Sequence, residues 1–428
     1  MSFRRRSASA VNNFIINILQ TTVHSTVVFF AKSYYFAHKA EISMKISEVS
    51  SPAQAKDFLL FPLSIYADDP NWIRPLDKDI ESVFDPAKNK FFRHGSCIRF
   101  LLHGADGKII GRIAAFINER LSKKEEQPTG GIGFFECIND QNAANMLFDA
   151  AKNWLSARGI EAMDGPINFG ERDAWWGLIV EGFHPPQYKM NFNKPYYKQL
   201  FENYGFKTYF EQWCFAMGVM SKLQDKFYER HKIIAANPDY RAEHIRKSKL
   251  DKYAEDFRIV YNQAWVKHGG GKELEEKQVQ NFFRQMKAVI DEKTIWYVYY
   301  KNQPVAMWVN LPDINQIFRK FNGKLGLIEK VRFILLLKRR KVRKMIGLVF
   351  GVVPEHQGKG VDSFMIVEGA NLLRREKLYE DFEMQWVGDF NPKMISIAES
   401  LGTYRSRVLV TYRFLFDRKK EFKRHRIL

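Results

Sequence analysis

A chain of 428 residues exceeds the size at which one hydrophobic core stops growing, and with 46% hydrophobic and 15% aromatic residues it can fill two, which excludes a disordered or fibrous polypeptide. A formal charge of +19 asks for an acidic partner, be it a nucleic acid, an anionic bilayer or a phosphorylated cofactor, and does not choose among them. Three scattered cysteines, Cys97, Cys137 and Cys214, exclude a disulfide framework and offer no metal-ligand spacing, so a reducing cytoplasm and no metal are expected.

Residues 1–43 begin with Arg4, Arg5 and Arg6, continue through a moderately apolar run at 14–31, and carry no acid before Glu41. Leaders and signal anchors start this way. Asn17, Gln20 and His24 nevertheless break the run short of the roughly 18 apolar residues a span requires. The preferred reading is an upstream extension that is not the native start, with the folded chain opening at Met44.

From there the first half reads as a strand, a helix begun by Ser51-Pro52, and a hairpin of 97–103 and 108–118 turning at Ala105-Asp106-Gly107. A strand at 132–138 follows, then a helix capped by Asn139-Asp140. Its Ala143, Met146, Leu147, Ala150, Ala151 and Trp154 fall at three- and four-residue spacing until Arg158-Gly159 ends it. A strand at 161–168, a short helix after Asn193-Lys194-Pro195, and a strand through Trp213 complete the half. The second half repeats the order. It has a helix at 250–265, a hairpin turning at 301–304, a strand at 346–353, a helix from Val361, a strand at 382–387, a helix after Asn391-Pro392 and a last strand at 407–416. An internal duplication is expected, with domains at 44–218 and 241–428 joined by a linker at 219–240.

Two insertions break the symmetry. In the first half, FGERDAWWGLIVEGFHPPQYKMNF (169–192) stands where the second half passes straight to Asn391-Pro392, which marks it as a substrate element. In the second, 315–344 carries eleven Arg or Lys around an apolar run at 333–337, with Glu329 its sole acid. Such a segment suits peripheral contact with an anionic membrane, the inner one for a cytoplasmic protein; a solvated basic helix face explains it equally well.

The strand at 346–353 stops at Pro354, and Gln357-Gly358-Lys359-Gly360 turns the chain into the helix at Val361. A glycine turn at a helix N-terminus aims unpartnered N–H groups at an anion, and a diphosphate fits. This run resembles the Q/R-x-x-G-x-G/A pyrophosphate loop of the GCN5-related N-acetyltransferase (GNAT) superfamily. Gln357 and Gly360 match, and Asp362 stands where the family has Gly or Ala. Residues 193–206 (NKPYYKQLFENYGF) resemble the superfamily's closing helix. More closely, GPINF (165–169), the run at 178–186, NKPYY (193–197) and QWVGDFN (385–391) resemble the bacterial YghO-like group of tandem GNAT proteins, which includes bacterial-type ceramide synthases.

The resemblance implies an α/β (α+β) protein of two GNAT-like domains, each a mixed twisted sheet flanked by helices. The first has lost the glycine turn and the second binds acyl-CoA. It implies an N-acyltransferase acting on the amine of an amphiphilic lipid such as a sphingoid base, with backbone N–H near Val352 and Val353 on the thioester carbonyl, and Gln357, Gly358, Lys359, Gly360, Val361 and Asp362 around the diphosphate. The tyrosine that many superfamily members place on the closing helix to protonate the thiolate is absent, its positions being Phe201 and Ala398. The candidate bases are Asp389 beyond the fifth strand, and Glu171, Asp173, Glu181 and His184 on the first insertion. Trp175, Trp176 and Phe183 are candidates to line the acceptor pocket, with Asn391 beside it; a structural role is open to each, a helix cap for Asn391 and core packing for the aromatics. Two other readings remain: a Fem-like transferase using aminoacyl-tRNA, which the charge permits, and a non-catalytic binding protein that kept the fold.

Overall fold

The computed structural model describes residues 44–122, 127–266 and 273–427, so the extension expected at 1–43 lies outside them. The first half runs β1 (Lys45–Glu48), α1 (Pro52–Leu60), α2 (Asp77–Val83), β2 (Gly95–His103), β3 (Ile109–Asn118), β4 (Thr129–Cys137), α3 (Gln141–Ser156), β5 (Ala162–Gly165), β6 (Leu178–Glu181), α4 (Tyr197–Tyr204) and β7 (Lys207–Gly218). The second begins with α5 (Asp225–Ala235), β8 (Tyr240–His244), α6 (Leu250–Tyr261) and α7 (Glu276–Met286), then β9 (Ile295–Tyr300), β10 (Gln303–Pro312), α8 (Leu327–Lys338) and β11 (Lys344–Val352). It closes with α9 (Val361–Glu376), β12 (Asp381–Met384), β13 (Val387–Gly388), α10 (Pro392–Ser400) and β14 (Tyr404–Leu415). The order of elements repeats as the sequence indicates.

Local chemistry sets the boundaries. Ser51 accepts from the Gln54 N–H while the Gln54 side chain takes the Ser51 N–H, and Pro52 fills the first turn where a missing donor costs nothing. Asp140 accepts from the Ala143 N–H at 2.8 Å and starts α3, whose Ala143, Leu147, Phe148, Ala151 and Leu155 lie on one buried face. Against the first-half sheet that face joins Phe135, Tyr197 and Phe201 in one core; α6 and α9 fill a second core on the other half.

The described strands form a single sheet of fourteen, and its order crosses the halves. Its path is β1-β2-β3-β4-β5-β14-β7-β12-β11-β10-β9-β8, with β6 attached to β14 and β13 to β7. The last strand of the chain, β14, thus lies between β5 and β7, and β7, the last strand of the first half, pairs with β12. Each half gives its final strand to the other, so neither sheet is complete alone.

Parallel pairs part in both halves. β4 and β5 pair from Thr129 with Ala162 only to Gly131 with Asp164, and β11 and β12 from Lys344 with Asp381 only to Gly347 with Met384. The Ile167 N–H donates to Ile132 O as the first insertion enters its gap. The second gap opens beside the glycine turn.

Candidate functional site

After β11 the chain makes a short 3-10 turn at Pro354–His356 and passes Gly358 at φ 73° and Gly360 at φ 91°, both in the left-handed region that side chains resist. A Cβ built on Gly358 meets nothing within 4 Å, so the space over the turn is open; on Gly360 it would lie 3.0 Å from Arg230 Cβ. The opening N–H groups of α9, without partners in their own helix, face back across the turn with the positive end of the dipole. Exposed Lys359 and Arg230 flank it, neither paired with an acid among the described residues. Gln357 Nε2 donates to Val352 O at 2.9 Å and ties the turn to the strand. These features fit a diphosphate. Half-buried Asp362, in the first turn of α9, opposes one and suits the helix dipole, so the two cations carry the balance.

Past Gly347, β11 has no strand on its β12 side. The Gln385 N–H donates to Gly347 O at 2.8 Å, and the chain then leaves for β13, which pairs with β7. The Val353 N–H is already used, donating to Val305 O at 2.9 Å, so that residue does not supply the expected thioester donor. Alternation along the strand turns the Val352 N–H the other way, to the side of the gap. Between α9, α10 and the parted strands lies an apolar cavity open to solvent, lined by residues including Met345, Phe350, Ile366, Ala370, Met384 and Ile397.

The five candidate bases do not converge; no hydrogen bond or ion pair joins any two of them among the described residues. Glu171 is exposed and pairs with Lys90 at 3.3 Å, while Asp173 and Glu181 are exposed. Asp389 follows β13 and pairs with Arg424 of the C-terminal segment. His184 accepts at Nδ1 from Arg407 Nη2 at 2.6 Å, since a guanidinium only donates, and its remaining N–H at Nε2 faces Ser406 O at 3.2 Å. Burial and the Arg407 charge push its pKa down, so the ring is neutral with both nitrogens committed.

Of the expected acceptor residues, Asn391 caps α10, accepting from the Met394 N–H at 3.3 Å. Phe183 is half-buried with Met190, Phe192 and Trp386 against Ile179 and Leu409. Trp175, left-handed at φ 45°, lines an open cleft in the first half with Trp72, Arg112, Glu136 and Phe192. Glu136 there accepts from the Tyr66 and Tyr197 hydroxyls at 2.7 and 2.8 Å, and burial raises its pKa. Trp176 stands under Arg172, whose guanidinium is 5.6 Å from its ring. Ala398 and Phe201 are fully buried, so neither closing helix carries an acid at the tyrosine position.

A charged network at the seam escaped the sequence reading. Glu383, on β12, is fully buried between Arg407 Nε at 3.1 Å, Ser406 Oγ at 2.6 Å and the Lys344 ammonium, with His184 Nε2 at 3.8 Å. Burial opposes its ionisation, but the Arg407 and Lys344 charges prevail and hold its carboxyl at about 2. Asp313, also buried, is pushed up to about 6 by burial despite Lys344. A charged residue between apolar neighbours in a strand, as in Phe382-Glu383-Met384, was the available signal. The network joins β11, β12 and β14 to the first-half insertion.

No family model matches the chain. It is 26% identical over 386 residues to the bacterial ceramide synthase of Caulobacter vibrioides, covering 85% of this chain and 96% of that protein. It is 27% identical over 365 residues to protein YghO of Escherichia coli, covering 81% and 89%. Among solved structures, it is similar to the GCN5-related glucosamine N-acetyltransferase region of a fungal multi-domain GH3 beta-N-acetylglucosaminidase, at a TM-score of 0.50 and 11% identity, over 88% of this chain and 38% of that one. The fold is the GCN5-related one, present twice.

Proposed function

We propose that this tandem GNAT-fold chain, a relative of a bacterial ceramide synthase, is an N-acyltransferase that moves a long acyl group from acyl-CoA to the primary amine of an amphiphilic lipid such as a sphingoid base. The observation that carries the reading is the parting of β11 and β12 directly beside the open glycine turn. The amine attacks the thioester carbonyl, a C–N bond forms and the C–S bond breaks, one amine proton goes to a base and the thiolate is protonated from solvent. Lys359, Arg230 and the α9 N-terminus hold the diphosphate, and the Val352 N–H supports the carbonyl as charge develops. Asp389, on the path that leaves β12 at the gap and paired with Arg424, is the base in this reading. The first-half insertion, through Trp175, Trp176 and Phe183, lines the acceptor's side.

Incubating the purified protein with palmitoyl-CoA and sphinganine should yield the N-acyl product by mass spectrometry, and titration calorimetry should show CoA binding; absence of both would overturn the reading. The apolar cavity supports a long chain because a polar acyl group would find almost nothing to bond there. Ala370→Phe fills it, and kcat/KM for palmitoyl-CoA should drop about tenfold while that for acetyl-CoA holds, the scale set by losing a few buried methylenes.

A further inference from the structure

The helix α8 exposes apolar side chains in a pattern unmatched elsewhere in the described residues. Of the eleven large hydrophobic residues exposed there, five belong to it: Leu327, Ile328, Val331, Ile334 and Leu335, the first two at 82% and 71% of full exposure. Placed at about 100° per residue, they span an arc of about 120°, with Lys330 on one flank and Arg332 on the other. The opposite side is anchored. Phe333 is buried and stacks on Phe318 at 5.3 Å, Leu336 and Leu337 pack into the same cluster, and Glu329 takes the Gly326 N–H at 2.8 Å at the start of the helix. The exposed row is therefore held outward by a fixed helix.

Cations continue around it. Lys330, Lys338, Arg339 and Lys341 are exposed and have no acidic partner among the described residues. We propose that α8 docks the protein on an anionic bilayer, laying Leu327, Ile328, Val331 and Leu335 among the acyl chains while these cations meet the headgroups. Lysine and arginine stems can lie along the apolar layer with their charges at its edge. A nucleic acid would use the cations and leave the leucines in water. A second copy meeting this face symmetrically would press cation on cation. No helix among the described residues is long and apolar enough to cross a membrane, so the contact is peripheral. The cluster behind α8 includes Met345, Leu373, Phe382 and Met384, which also line the apolar cavity, so the docked face lies one layer from it.

Flotation of the full chain with phosphatidylcholine vesicles, with and without phosphatidylglycerol, tests this. Binding is expected to the anionic vesicles and to fade with salt. Lys330→Ala and Lys338→Ala should each weaken it about fivefold, and Leu327→Asp with Ile328→Asp should abolish it, with circular dichroism and Tm unchanged because these side chains touch solvent. Equal binding to neutral vesicles, or undiminished binding by the double aspartate variant, would overturn the proposal. So would a dimer in sedimentation that this variant dissolves, in the absence of vesicle binding. Acyl transfer in detergent, read separately, distinguishes lost docking from lost chemistry.

Discussion

Gly358→Val is expected to lower kcat/KM for acyl-CoA about a hundredfold and to weaken CoA binding in calorimetry by a similar factor, while the chain remains folded. The residue sits at φ 73° with open space where its Cβ would be, so the substitution meets no neighbour; it strains the turn and fills the volume a diphosphate needs. The added side chain also pushes the diphosphate away from the N–H groups at the head of α9. Gly360→Val should do at least as much and also destabilise, because its Cβ would press on Arg230. Unchanged CoA affinity in Gly358→Val would remove the glycine turn from the site.

Arg407→Met is expected to cost about 3–5 kcal/mol of unfolding free energy, measured in urea, because it leaves Glu383 ionised and buried with Lys344 as its remaining full charge partner. Replacing both members, Glu383→Leu with Arg407→Met, should cost less than the two single changes summed, since no lone charge is left. The same network predicts a pH profile. The Glu383 carboxyl stands at about 2, below its ordinary 4.5, so its stabilisation, ~3 kcal/mol, is complete above 4.5 and is lost as pH falls toward 2. Asp313 is the opposite case. Its pKa is raised from 3.8 to about 6, so the fold is favoured while it is protonated, and ~3 kcal/mol is lost as pH rises through that interval. From these two groups Tm should peak near pH 4. Asp313→Asn should flatten the alkaline side and Arg407→Met the acid side; a profile that neither variant alters would refute the assignment.

The glycine turn was legible because its signal is local: an apolar run, a proline, two glycines and a periodic helix stand within about twenty residues. The caps at Ser51, Asp140 and Asn391 were legible for the same reason, each side chain reaching the donor three residues on. Glu383, Arg407 and Lys344 were not, because their partners are 24 and 39 residues apart in sequence and meet only in the assembled sheet, where β7 separates β12 from β14. His184 looked like a base on a loop; the structure spends both its nitrogens on Arg407 and Ser406.

The sequence by itself determined most of the strands and helices, the repeat of their order and the glycine turn, but it read α5 as linker and gave no sign of α7 or β6. Periodicity and turn chemistry act over a few residues, and they were sufficient for that. The tertiary structure alone decided that β14 would lie between β5 and β7, and that the seam between the halves would carry a buried ion network. A duplicated chain offers two similar places to each closing strand. Which one it takes depends on pairing and packing hundreds of residues away, where no local pattern reaches.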